Sequence, residues 1–377
     1  MPNLAIRASV GSALCALLVC AGAAPAFSVT SLGTLGGLSS FGWELNDRRE
    51  VVGEATNALG QGRPFLWSNG NMIDLGTLGG SSGLAQGINN NGVVVGDSFN
   101  QEAVNRAFVH IGGVNLDLGA LSNAPRSGSG ATAISDTGIV VGNSTTDFSF
   151  NFQRLGHAFA YVNGVMVDLG TLGPVTTSGS QAADVNSLGQ VVGGSWVGPG
   201  APRRAVLFQG GAVLDLGTLG GDSAFATGIN ESGLIVGVSS VNSTGLIIEH
   251  AFLWTAIEGM RSLGSLNGGT SIAWDVNNFG QVVGYSAGTG FLFMDDRMYD
   301  LNDLLVTDEW TNTEARAINN LGDIVAQGRN RAGESRALLL TPVNVGVVPS
   351  PGTLSLLLGS LAMLLACATR ESKALAR

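Results

Sequence analysis

The side chains in this chain that could do chemistry recur at fixed places instead of clustering. A basic residue opens one short apolar segment repeatedly, as Arg63, Arg106, His157, Arg204, His250 and Arg336, with Thr289 once. An acidic residue closes the segment that follows, as Asp74, Asp117, Asp168 and Asp215. A ring of cations on one face would suit an anionic polymer, but the spacing points to pairing within each repeat. Counted outward from the intervening Asn-Gly or Gly-Gly turn, Phe65, Phe108, Phe159 and Val206 fall opposite those four aspartates. Each cation is then diagonal to an Asp on the same sheet face, within reach of a long side chain. Exposed pairs of this kind contribute about 0–1 kcal/mol each. Arg336 and His250 meet Ser31 and Ser262 instead, and are expected to be the free cations.

Other chemistries find little support. His110, His157 and His250 belong to different repeats, without Cys or carboxylate at metal-ligand spacing. No Asp-x-Asp-x-Asp-Gly calcium loop, nucleophile elbow, phosphate loop or His-Glu-x-x-His occurs. Asp295 and Asp296 are adjacent in a hairpin turn, whereas a glycosidase needs carboxyl groups facing each other across a sugar. No enzyme activity, metal or cofactor is expected.

The elements that would position any site are set by repetition. Asp215-Leu216-Gly217-Thr218-Leu219-Gly220-Gly221 has close copies beginning at Ser31, Asp74, Asp117, Asp168, Ser262 and Asp300. Each is followed by an apolar segment ending in Asn, a Gly-Val-Val-Gly-like segment and an Ala-Phe-Leu-Trp-like segment. Seven units of roughly 38 to 51 residues result, a period typical of propellers and solenoids. In the unit from Asp215 the strands are expected at 224–230, 234–239, 250–254 and 259–263. Asn caps the turn after the first strand and Gly supplies positive φ; two-residue Gly turns close the last hairpin. Four antiparallel strands repeated seven times predict an all-β, seven-bladed β-propeller over residues 27–340, with an open β-solenoid as the alternative. Phe27 to Gly33 reads as an orphan fourth strand and the last unit stops after its third, so the N-terminal strand is expected to complete the last blade and close the ring.

In that fold the first strands line the channel. Trp43, Trp274 and Arg316 occupy equivalent first-strand positions, where aromatic faces could stack on a sugar and Arg316 could bind a carboxylate; packing between blades is the competing role for each Trp. Loops from strand two to three vary from unit to unit, and variable loops on a rigid scaffold are where binding residues concentrate. They carry Trp196, Phe148 and Phe150 as further candidate ligand contacts.

Composition adds a compartment. The formal charge is −10 and Lys373 is the only lysine, so nucleic acid is not an expected partner. Residues 1–26 combine Arg7, an apolar run and Ala24-Pro25-Ala26, the pattern of a secretory signal peptide. Residues 341–352 read as a linker containing Pro349-Ser350-Pro351. Residues 353–369 are apolar and uncharged, as in a transmembrane helix, and 370–377 form a basic tail that places the C-terminus inside. Cys15, Cys20 and Cys367 all lie in these ends, leaving the repeats without a disulfide.

The repeat text, most literally His157-Ala158-Phe159 and His250-Ala251-Phe252, resembles the bacterial extracellular HAF-repeat proteins. The C-terminus resembles the PEP-CTERM sorting signal, with Ser350 where the Val-Pro-Glu-Pro motif has Glu. The resemblance implies an exported or surface-anchored protein of an exopolysaccharide-producing bacterium, with an exosortase-type enzyme as a processing partner. It brings no catalytic residues. The expected function is non-enzymatic binding of exopolysaccharide or a cell-surface protein through one propeller face. The alternatives are a structural surface or biofilm-matrix protein, and a carbohydrate-active hydrolase or lyase.

Overall fold

A computed structural model describes residues 25–150, 153–198, 200–241 and 248–343. The expected signal peptide up to residue 24, the linker beyond Val343 with Pro349, Ser350 and Pro351, and the expected membrane segment 353–369 lie outside the described residues. Among the described residues no helix is long and apolar enough to cross a membrane.

The strands form seven four-stranded antiparallel sheets, each first strand contacting the first strands of the two neighbouring sheets so that the ring closes. This is a seven-bladed β-propeller. In the unit from Asp215 the strands are Gly220–Ile229, Ile235–Val241, Ile248–Thr255 and Gly259–Gly264. Six blades are meanders continuous in sequence. The seventh contains Trp310–Ile318, Ile324–Asn330 and Ser335–Val343, and its outer strand is the N-terminal Ala26–Ser31. Closure by that strand therefore follows the sequence expectation.

The blades pack through alternating apolar positions. The first leucine of the Leu-Gly-Thr-Leu linkers is buried at Leu32, Leu75 and Leu216 and half-buried at Leu169; Leu216 lies among Val192 of blade four and Ala224 and Phe252 of blade five. The last glycine of each Gly-Val-Val-Gly segment has a different reason. A Cβ on Gly237 would lie 2.1 Å from the Phe225 carbonyl oxygen and 2.8 Å from the Phe252 ring, so the two strands approach too closely there for a side chain. Gly237→Ala is therefore expected to cost about 1–3 kcal/mol by overpacking, measurable as a lower midpoint in chemical denaturation.

The turn asparagines do more than cap. Asn89 Oδ1 accepts from the N–H groups of Asn91 and Val93, as turn chemistry predicts. Its Nδ2 then donates to the Ser135 carbonyl of the next blade at 3.0 Å. The same donation runs from Asn46 to Asn89, Asn186 to Asn230, Asn230 to Asn277 and Asn277 to Asn319. Asn319 returns to the Asn46 carbonyl at 3.1 Å, joining the last blade to the first. Arg49 of blade one adds an ion pair to the buried Asp323 of blade seven at 2.9 Å.

Candidate functional site: the central channel

The first strands face the channel, and each carries a bulge at the same position: the register shifts between Gly42 and Glu44, Ala273 and Asp275, and Ala315 and Ala317, for example. A bulge leaves one residue unpaired and re-aims its side chain. The re-aimed residues are Trp43, Gln86, Thr132, Ala183, Thr227, Trp274 and Arg316, and all seven line one chamber of about 270 Å³ inside the ring. One arc of the wall is aromatic and cationic, the other small and polar.

Trp274, Arg316 and Trp43 come from blades six, seven and one, so ring closure makes them consecutive. The Arg316 guanidinium sits 4.3 Å from the Trp274 ring centre, 4.7 Å from Trp43 and 5.1 Å from Phe41. Phe41 lies 4.7 Å from Trp43. Glu314 pairs with Arg316 at 3.0 Å. Burial holds the guanidinium below its ordinary pKa, with Glu314 working against that shift. The indole Nε1 of both tryptophans and Arg316 Nε are buried without a hydrogen-bond partner among the described residues, a polar arrangement that costs stability. Around the rest of the wall, Gln86, Asn143 and Gln181 supply amides, Phe225 another ring and Glu44 a carboxylate.

The remaining candidates lie elsewhere. Trp196 ends its strand opposite Gly179, where its indole occupies the space a side chain would need. Phe148 sits 6.0 Å from His157. Neither lines the chamber. Phe150 ends its strand, and its side chain lies outside the described residues.

The diagonal pairs form where expected. Arg63 meets Asp74 at 3.0 Å, Arg106 meets Asp117 at 3.1 Å, His157 meets Asp168 at 2.7 Å and Arg204 meets Asp215 at 3.0 Å. Burial pushes the Asp168 pKa up, but hydrogen bonds from His157 and the Gly170 N–H, with the His157 charge, leave it below its ordinary value. Arg336 corrects the expectation of a free cation. It donates to the Leu38 carbonyl at 2.6 Å and pairs with Glu334 at 3.2 Å, because blade one lies close enough to take the donor. His250 shares a hydrogen bond of 3.0 Å with Ser262.

One group escaped the sequence reading. Glu44, Asp184 and Asp275 occupy the position after the bulge, where other blades have Gly or Ala, and line a second space of about 170 Å³ toward the Asn turns. That contrast was visible in the aligned repeats. Asp184 accepts from the Val185 N–H at 2.7 Å and from Ile229 of the next blade at 2.8 Å. Asp275 does the same with Val276 at 2.6 Å and Ile318 at 2.8 Å. All three carboxylates are half-buried and line this space, and Glu44 borders the upper chamber as well. Burial, reinforced by repulsion from Asp275, lifts Asp184 to about 7 despite its two N–H donors. Burial lifts Asp275 to about 6 against its own two donors. Burial and repulsion from Asp275 also raise Glu44 well above the usual carboxylate range. Among the described residues no group of His, Cys, Asp and Glu is placed to hold a metal ion.

The fold and channel define the class: a seven-bladed propeller whose candidate site lies inside the ring. No protein-family profile and no curated protein matches the chain. Solved structures similar to it include TolB from Acinetobacter baumannii, at 10% identity and TM-score 0.41, over 78% of this chain and 63% of that one. A gluconolactonase from Xanthomonas campestris is similar at 10% identity and TM-score 0.41, over 84% of this chain and 89% of that one. A puromycin-hydrolyzing peptidase from Mycobacterium tuberculosis is similar at 13% identity and TM-score 0.47, over 87% and 57%. The chain thus spans under two thirds of the TolB and peptidase chains.

Proposed function

We propose that this is a non-enzymatic propeller of the bacterial cell surface that binds polysaccharide at the mouth of its channel. The observation that carries this reading is the chamber's mixed lining, in which the rings of Trp43, Trp274 and Phe225 stand beside the amides of Gln86, Asn143 and Gln181. A sugar ring has an apolar face for the first and hydroxyls for the second. The volume of about 270 Å³ is near the lower end of small-molecule sites, roughly 300–1,000 Å³, so the ligand is a chain end or a side-branch sugar. With Arg316 already paired to Glu314, Glu44 in the chamber wall and Asp184 and Asp275 below it, a neutral sugar fits better than an acidic one. The signal-peptide pattern and the HAF-repeat and PEP-CTERM resemblances support export, with the C-terminal segment as anchor and an exosortase-type enzyme as processing partner.

The test is binding of the purified chain to a panel of neutral and acidic exopolysaccharides, with polymer length followed in the same tubes. Trp274→Ala is expected to weaken binding by about 2 kcal/mol, roughly 30-fold, while the far-ultraviolet spectrum stays unchanged. Undiminished binding in Trp43→Ala and Trp274→Ala would move the site off the channel. A glycoside-hydrolase reading draws on Asp184 and Asp275, carboxylates that take up protons near neutral pH. Shortened polymer would establish it; their engagement by backbone N–H groups supports a bracing role.

A further inference from the structure

The face opposite the variable loops carries a second feature. First strands run from the variable-loop face to the Asn turns, and third strands run the same way. The last third strand, Ser335–Val343, therefore delivers the chain to the Asn-turn face, from which the closing strand Ala26–Ser31 also starts. In the other blades a third strand turns here into a fourth. In blade seven it does not, and an open groove of about 460 Å³ remains between blades six and seven. Its lining includes Pro25, Phe27, Phe279, Met294, Leu321 and Pro342. Phe279 and Leu321, at the tips of adjacent Asn turns, are 75% and 53% exposed although both are large and apolar.

We propose that this groove is the docking site of the chain's own segment 344–351. Pro342 lines the groove and the described chain ends at Val343, so the next residues begin at its edge. Their chemistry matches: Val345, Val347, Val348, Pro349 and Pro351 are apolar, and no charged residue occurs between Arg336 and Arg370. Their length matches too, since five extended residues reach about 17 Å, enough to cross from one blade to the next. Burying apolar side chains against Phe279 and Leu321 supplies the driving force. Docking would make the apolar segment 353–369 leave from the Asn-turn side, so a propeller held by that segment presents its variable loops away from the attachment.

Hydrogen–deuterium exchange of the full chain in detergent tests this, reading the peptide that covers 344–352. The expected result is exchange at least about tenfold slower than in Phe279→Asp or Leu321→Asp, with the blades equally protected in all three. Val347→Asp, which changes the segment and not the groove, should release it likewise. Leu188→Asp alters the same turn position in blade four, 75% exposed and away from the groove, and should leave the peptide unchanged. Wild-type exchange as fast as in the groove variants, or an equal effect of Leu188→Asp, would overturn the proposal. Protection that grows with protein concentration would also overturn it, by placing a second copy in the groove.

Discussion

Phe27→Ala is expected to lower stability by about 3–5 kcal/mol and to make the protein associate as it unfolds. Phe27 is 2% exposed and packs among Leu301, Leu304, Ile318, Leu338 and Leu340, at the boundary between blades six and seven. Its carbonyl accepts the Val306 N–H at 3.0 Å, which fastens the closing strand to the preceding linker as well as to its own sheet. Phe108→Ala in blade two removes an equally buried ring, 0% exposed, from a blade continuous in sequence. Both changes leave a cavity. Only the first loosens the strand that covers the edge of Ser335–Val343, and an uncovered edge is a template for pairing with another chain. Denaturation followed by light scattering separates the two. A loss below about 1 kcal/mol with no scattering would show that the ring is held shut by the Asn319–Asn46 and Arg49–Asp323 contacts instead.

Acidification from pH 8 to pH 5 is expected to stabilise the propeller. Asp184 and Asp275 have folded-state values of about 7 and about 6, above the ordinary 3.8, and Glu44 is raised as well. A carboxyl raised on folding binds more protons in the native than in the unfolded state between its two pKa values. Stability therefore falls as pH rises through that window, from about 4 to about 7. A tenfold difference in proton affinity between the two states corresponds to about 1.4 kcal/mol. Because Asp184 and Asp275 repel each other, their contributions do not simply add, and a net gain of about 2–4 kcal/mol is the expectation. Asp168 has the opposite sign, since its lowered pKa adds stability that is lost as pH falls. Its effect belongs below about pH 4, outside the main window. Thermal melts at constant ionic strength from pH 8 to 4 read the slope. A melting temperature flat or falling across pH 8 to 5 would mean that the lumen solvates these carboxylates as freely as bulk water.

The same positions show why the candidate site was half legible. Trp43, Trp274 and Arg316 stand out in the sequence because neighbouring repeats have Gln86, Thr132, Ala183 and Thr227 at that place. That they form one stack is a consequence of ring closure, which makes blades six, seven and one neighbours. The partners Phe41 and Glu314 lie two residues before Trp43 and Arg316, and nothing in their type marks them as members of the stack. Trp196 and Phe148 illustrate the reverse: loop position suggested a shared binding face, but each packs near its own blade, against Gly179 and near His157.

What the sequence by itself determined was the periodic part of the protein. Seven copies of one text set seven four-stranded sheets. Turn chemistry placed the hairpins, and counting from those turns gave the Arg63–Asp74 type of pair in its observed register. These depend on neighbours within one unit, where strand alternation dictates the partner. The contacts between units were decided only by the tertiary structure: the belt of Asn side chains reaching the next blade, Arg336 on the Leu38 carbonyl, and the meeting of Glu44, Asp184 and Asp275 in the lumen. Their geometry depends on how far each blade is rotated from the next, and that angle follows from all seven boundaries packing at once, so no single repeat encodes it.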